Sequence, residues 1–159
     1  MALLEKHLRI RPSVIPNAGR GLFTLVDIPK GTLIVEYKGR LRKWKEVEAE
    51  DGENSYIFQI NTRWAVDAEK ALSTFGRYAN DARGERRSTA HRNNAEYVVK
   101  GLKVYIKSTR KIHAGTEVFC DYGRAYWTAD MAQKRERARE KAKAKAKAKA
   151  KAKAKKRAS

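Results

Sequence analysis

Turn-forming residues return so often between Leu8 and Gly123 that only short extended segments fit between them. Pro12, Asn17-Ala18-Gly19-Arg20-Gly21, Pro29-Lys30-Gly31, Gly39, Asn61-Thr62, Gly101 and Gly115 punctuate the chain, proline fixing φ and glycine supplying positive φ. The β-branched and aromatic runs between them recur roughly every eight to twelve residues, which predicts a mostly β domain of small sheets. Strands alternating with long helices are absent, so a doubly wound nucleotide fold is disfavoured. The pattern predicts strands over residues 8–11, 22–25 and 32–37, with Gly39 ending the third. It also predicts one hairpin of residues 56–60 and 63–67 across Asn61-Thr62, and another of 95–100 and 102–108 about Gly101. Residues 43–51 are rich in helix formers, with Trp44 and Val47 on one face, and read as a short surface helix closed by Gly52. Residues 71–75 read as one helical turn before Gly76, and the polar, basic residues 83–92 as a loop.

The last predicted strand carries the most information. Gly115-Thr116-Glu117-Val118-Phe119-Cys120-Asp121-Tyr122-Gly123 opens on a glycine turn, alternates half-apolar, and ends with a tyrosine between an acid and a glycine. Such an ending places a phenol at a sheet margin, where it can line a pocket. Beyond it, Thr128 is a fitting N-cap and Asp130 a first-turn acid for a helix over residues 128–140.

Charge separates the body from the C-terminal stretch. The chain carries +19, and the segment from Lys134 to Ser159 holds 14 basic and 2 acidic residues against 23 and 16 in the rest. From Lys141 onward the sequence is a Lys-Ala repeat. Both residues favour helix, but lysines at i, i+4 on every face repel by roughly 0.2–0.5 kcal/mol per pair. The expectation is a charged tail, mostly disordered, that becomes helical when an anion neutralises it. Cys120 is the only cysteine, which excludes an intrachain disulfide and a cysteine-based zinc site. His7, His91 and His113 lack ligand spacing, so no metal is expected. Met1-Ala2-Leu3-Leu4 is too short for a signal peptide, and no apolar run approaches the ~18 residues of a membrane span. A soluble, intracellular protein is expected.

Taken singly, each motif has an ordinary reading. Gly19-Arg20-Gly21 is either a plain turn or a backbone that must approach a cofactor closely; Thr24 stands where a dinucleotide fingerprint needs its third glycine. Asn80 and Asn93-Asn94 suit loop turns. Tyr97 and Tyr105 read as core aromatics, and Glu36, inside an apolar strand, as the partner of an arginine.

Their joint order is more specific. Ala18-Gly19-Arg20-Gly21-Leu22-Phe23, Glu36-Tyr37-Lys38-Gly39, Ser55-Tyr56-Ile57-Phe58, Arg77-Tyr78-Ala79-Asn80-Asp81, Asn94-Ala95 and the 115–123 stretch together resemble the SET domain of protein lysine methyltransferases, in a minimal, bacterial-like form without cysteine-rich zinc flanks. The resemblance implies a β-clip-like fold of small sheets closed by a C-terminal pseudoknot, with short helices, over residues 8–127. A helix over 128–140 and a helical or disordered basic tail over 141–159 complete the expected chain. The resemblance also implies S-adenosylmethionine as cofactor, contacted by Ala18, Gly19, Arg20, Gly21, Arg77, Asn80, Asp81, Tyr122 and Trp127, the last stacking on adenine. Tyr122 would line the methyl-transfer pore and Tyr56 would wall the lysine channel. Cys120 stands where the family often has tyrosine or phenylalanine, which implies room for dimethyl or trimethyl products. Asp81 replaces the usual histidine, and Ala82-Arg83 the usual Ser-Cys pair, which puts the local packing of the knot in question.

The expected partners are a protein substrate with an exposed, histone-like lysine and, through the tail, nucleic acid without sequence preference. The tail cations are Lys141, Lys143, Lys145, Lys147 and Lys149, then Lys151, Lys153, Lys155, Lys156 and Arg157. Their arrangement resembles the tails of linker histones; a merely solubilising tail is the alternative. Small family members pair, so a homodimer is compatible, and location in the cytoplasm on nucleoid or chromatin, or in a nucleus, comes with the same reading. Competing with the enzyme are a non-catalytic nucleic-acid-binding protein on a SET-like scaffold, and a methyltransferase acting away from chromatin.

Overall fold

Among the described residues the longest strands span six residues, as the density of turn signals requires. The computed structural model describes residues 3–50, 54–83, 90–124, 126, 137, 140, 141, 144, 145, 147 and 148. The strands are β1 (Leu8–Pro12), β2 (Arg20–Thr24), β3 (Leu33–Glu36), β4 (Arg40–Lys43), β5 (Ile57–Gln59), β6 (Trp64–Asp67), β7 (Ala95–Lys100) and β8 (Lys103–Ser108), with a short helix, α1 (Trp44–Val47), between β4 and β5. They form three small antiparallel sheets, ordered β1-β2, β3-β8-β7 and β4-β6-β5.

The alternation in β8 explains how the central sheet buries one face. Val104, Ile106 and Ser108 are buried, while Tyr105 and Lys107 lie on the more open face. Val104 and Ile106 belong to two adjoining apolar clusters. The larger joins Leu8, Leu22, Ile28, Ile34, Ile112 and Val118, all at 2% exposure or less. At about 1.5–3 kcal/mol for each fully buried aliphatic side chain, this cluster is the main apolar anchor of the body. The second gathers Tyr37, Val66, Ala68 and Val104, with Phe58 and Tyr97 packed against it.

Four expectations change. Residues 71–75 are not helical: Ala71 O accepts from Thr74 N and Thr74 Oγ1, a turn, and the helical turn falls on Gly76–Tyr78. Gly76 is a packing glycine, since a Cβ would come within 2.8 Å of Glu36 O. Gly39 does not simply end a strand, because β4 begins at once and pairs with β6 from Arg40↔Asp67 to Lys43↔Trp64. Its Arg-Leu-Arg-Lys sequence gave no hydrophobic signal because three of its four side chains are solvated. Among the described residues Glu36 pairs with Lys103, at 3.7 Å, and not with an arginine.

The fourth change concerns the last strand. The segment after Gly115 forms no ladder; it makes single bridges, antiparallel from Glu117 to Phe23 and parallel from Phe119 to Asn80 and from Cys120 to Ala95. Residues 119–121 therefore lie between two parallel neighbours. Cys120 N donates to Asn80 O on one side (2.8 Å), and Asn94 N and Ala95 N donate to Phe119 O on the other. This is the inserted C-terminal segment that a pseudoknot requires.

The chain divides into two units, Met1–Tyr122 and Gly123–Ser159. In the second, Lys141, Ala144, Lys145, Lys147 and Ala148 are helical and exposed. Trp127, Lys143, Lys149, Lys151, Lys153, Lys155, Lys156 and Arg157 lie outside the described residues, as does most of 128–140. Among the described residues no helix is long and apolar enough to cross a membrane.

Candidate active site

The inserted segment brings Tyr122 against residues 79–81. Its hydroxyl donates to Ala79 O at 2.7 Å, and its backbone N–H donates to Asp81 Oδ2 at 2.9 Å. Asn80 is bracketed by these two bonds. Its own Nδ2 donates to Arg20 O and to Glu117 Oε1, both at 3.0 Å. Three stretches distant in sequence, the Gly19–Gly21 turn, Arg77–Asp81 and Glu117–Tyr122, thus meet at one amide.

Asp81 answers the question raised by its departure from the family pattern. The side chain is 3% exposed and accepts from Arg83 N, Asn93 Nδ2 and Tyr122 N, each at 2.9 Å. A carboxylate can satisfy several donors at once, and here it ties the loop after Asn80 to the inserted segment. The neighbouring replacements join the same device. Ala82 is buried with Ile15 and Phe119, with Ala18 packed against them, and Arg83 reaches Asp121 at 2.8 Å.

Glu117, to which the sequence alone assigns no role, is the second buried carboxylate. It is 2% exposed and accepts from Ser13 Oγ (2.8 Å), Val14 N (2.8 Å) and Asn80 Nδ2 (3.0 Å). A carboxylate within an otherwise apolar alternating strand was the available signal. It also separates the roles of two glycines. Gly21 lies so close that any Cβ would collide with the Glu117 carboxylate, whereas Gly19, at φ +70°, has open space where its Cβ would stand. Asn94 was part of the motif order but was assigned no contact. Its buried amide donates to Glu117 O and accepts from Phe119 N, clamping the strand from the opposite side.

Aromatic rings extend from Tyr122. Tyr97 lies 6.4 Å from it, Phe58 5.1 Å from Tyr97, and Tyr37 5.6 Å from Tyr97 in an edge-on arrangement. Burial raises the Tyr97 phenol well above its ordinary pKa, with the nearby Cys120 and Tyr122 adding to the effect. Cys120 is fully buried; burial first, then the carboxylates of Asp81, Asp121 and Glu96, push its thiol well up. Both stay neutral, so Cys120 is a small apolar spacer and not a nucleophile.

Tyr56 is not in this ring cluster. It makes neither ring contact nor hydrogen bond with Tyr122; its carbonyl accepts from Tyr37 OH (2.9 Å). Its ring carries the Arg77 guanidinium 4.1 Å from the centroid, a cation–π stack that Tyr78 shares at 5.2 Å. Arg77 Nε is buried and has no hydrogen-bond partner among the described residues. Of the sequence-predicted contacts, the turn at Ala18–Gly21, Asn80, Asp81, Cys120 and Tyr122 converge. Arg77 and Tyr56 form an adjoining pair.

The SET domain family matches residues 19–123 of this chain. Human histone-lysine N-methyltransferase EHMT1 is 28% identical over 115 residues, covering 70% of this chain and 9% of that protein. The Caenorhabditis elegans histone-lysine N-methyltransferases set-1 and set-17 are 29% and 31% identical over 132 and 119 residues, or 75% and 74% of this chain. The chain spans 51% of set-1 and 41% of set-17, so about half or less of these relatives. A chain in the structure of a humanized mutant of the Chaetomium thermophilum Polycomb Repressive Complex 2 bound to the inhibitor GSK126 shares the fold. It aligns with a TM-score of 0.57 at 23% identity, over 73% of this chain and 15% of that one.

Proposed function

Because the chain belongs to the SET-domain family, we propose that it is a protein-lysine N-methyltransferase that takes its methyl group from S-adenosylmethionine. The observation that carries this reading is the bracketing of Asn80 by the two hydrogen bonds of Tyr122, with the Gly19–Gly21 turn tied to the same amide.

The residues present fit such a cofactor. Asn80 Oδ1 accepts no hydrogen bond among the described residues, and so suits an ammonium group; the orphaned Arg77 Nε–H is a donor suited to a carboxylate. Gly19, next to the Arg20 carbonyl that Asn80 holds, has open space where a Cβ would stand. When bound, S-adenosylmethionine supplies an electrophilic methyl group on a sulfonium. The protein's own part is orientation and desolvation. A free lysine has a pKa of about 10.4, and desolvation beside Tyr122 and the Tyr97 ring next to it disfavours the ammonium form. The Tyr122 hydroxyl directs its proton to Ala79 O, so toward an incoming amine its oxygen acts as an acceptor. It is a positioning group and not a base. Alignment of this kind supplies several kcal/mol of a displacement barrier.

Cys120 is small and neutral next to this locus, at a position where the family often has tyrosine or phenylalanine, and dimethyl or trimethyl lysine is the expected product. The substrate is a basic, histone-like protein, and the Lys-Ala tail holds the enzyme near it by binding nucleic acid through counterion release. Incubation with a labelled methyl donor and a panel of basic nucleoid and histone proteins tests the reading, with Tyr122→Phe as control. Product mass gives the methylation state. Absence of heat on titrating S-adenosylmethionine would instead favour a non-catalytic scaffold.

A further inference from the structure

Loops 90–94 and 110–116 face each other across a surface cleft of about 370 Å³, room for roughly a dozen waters, whose lining includes Asn94 and Phe119 but not Asn80, Asp81 or Tyr122. Its floor is buried and firm: Ile112 and Phe119 are 2% and 3% exposed, and the Asn94 amide is hydrogen-bonded at both ends. Its rim is cationic. Arg92 stands on one wall, Arg110 and Lys111 on the other, with His91 and His113 beside them, and among the described residues no acid lines the cavity.

Like charges gathered on two facing walls repel, and an anion bound between them or a nearby acid relieves that repulsion. Among the described residues only Asp27 serves in the second way. It pairs with Lys111 at 2.8 Å, lies 3.8 Å from His113, and accepts from Ala114 N, which anchors the 111–114 wall. Arg92 and Arg110 are exposed and make no ion pair among the described residues. Two guanidiniums on opposite walls offer forked donors with the geometry of phosphate oxygens.

We propose that this cleft binds the phosphodiester backbone of a nucleic acid, independently of the Lys-Ala tail and of the methyl-transfer reading. Binding is without sequence preference, because the one aromatic floor residue, Phe119, is covered by the His91 ring (centroids 5.6 Å apart) and offers no open face for a base.

The test uses the full-length chain and a random-sequence duplex of about 20 base pairs, titrated by fluorescence anisotropy from roughly 50 to 300 mM salt. Arg92→Gln with Arg110→Gln removes two phosphate contacts and should lower the slope of log affinity against log salt by about 1.8. Lys30→Gln with Arg63→Gln removes the same charge from exposed sites outside the cleft and should leave most of that slope intact. The comparison is repeated in a full-length chain whose tail lysines, Lys141 to Lys156, are changed to glutamine. There residual duplex binding should persist and be lost with the arginine pair. An equal slope change for both pairs, no change for the arginine pair, or no residual binding in the tail-neutral chain would each overturn the proposal.

Discussion

Replacing Glu117 with glutamine measures what a buried carboxylate contributes where three distant segments meet. Glutamine keeps the shape but offers one acceptor oxygen in place of two. With its nitrogen toward Val14, it sets a donor against the Val14 N–H, which then finds no acceptor. Turned the other way, it faces Ser13, whose hydroxyl can rotate to accept, and Asn80, whose amide must flip and release Arg20 O. Either arrangement loses at least one hydrogen bond to a charged acceptor, about 1.5–3 kcal/mol, and leaves one donor or acceptor without its partner, at about 1–3 kcal/mol. Partial relaxation brings the expected loss to roughly 3 kcal/mol. For a chain of this size that lowers Tm by about 6–12 °C. Scanning calorimetry reads it directly, and titration with S-adenosylmethionine should weaken in parallel, because the Asn80 amide loses an anchor. A Tm within about 2 °C of wild type would refute the reasoning and reduce Glu117 to a replaceable packing group.

Gly21→Ala drives a Cβ into the same carboxylate, so its destabilisation and that of Glu117→Gln should be strongly non-additive in a double-mutant cycle; simple addition would mean that the two residues do not share a contact. Tyr122→Phe removes one hydrogen bond to Ala79 O, about 1 kcal/mol, yet should cut methyl transfer by about tenfold to a hundredfold through misalignment, measured with labelled donor. Cys120→Tyr overfills a fully buried site, costing about 1–3 kcal/mol, and should shift the product toward monomethyl lysine in mass spectra. Asp67 gives an acid-stability test. Burial pushes its carboxyl up, but hydrogen bonds from Glu69 N–H, Arg42 and Asn54 outweigh this and hold it below the usual value. A depressed folded pKa stabilises above the unfolded pKa, and that contribution is lost as pH falls through the folded one. Wild type should therefore lose stability below about pH 4, and Asp67→Asn should start lower at neutral pH and show a flatter acid limb.

The chain's local chemistry determined a good deal without tertiary information. Residue spacing and glycine placement limited it to short strands, and the hairpin about Gly101 is dictated by the alternation on either side. The ordered motifs named the family and pointed to Asn80 and Tyr122. Such features are legible because turn chemistry and side-chain alternation act over a few residues. β4 was not legible, since its partner, not its own polar sequence, makes it a strand. Nor was the partner of any buried acid. Asp81 read as a flaw in the family pattern until the fold set Arg83, Asn93 and Tyr122 around it, and Glu117 had no role until Ser13, Val14 and Asn80 came within reach. A buried carboxylate is worth what its donors make it worth, and those donors, some more than a hundred residues away in sequence, are chosen only by the path of the folded chain.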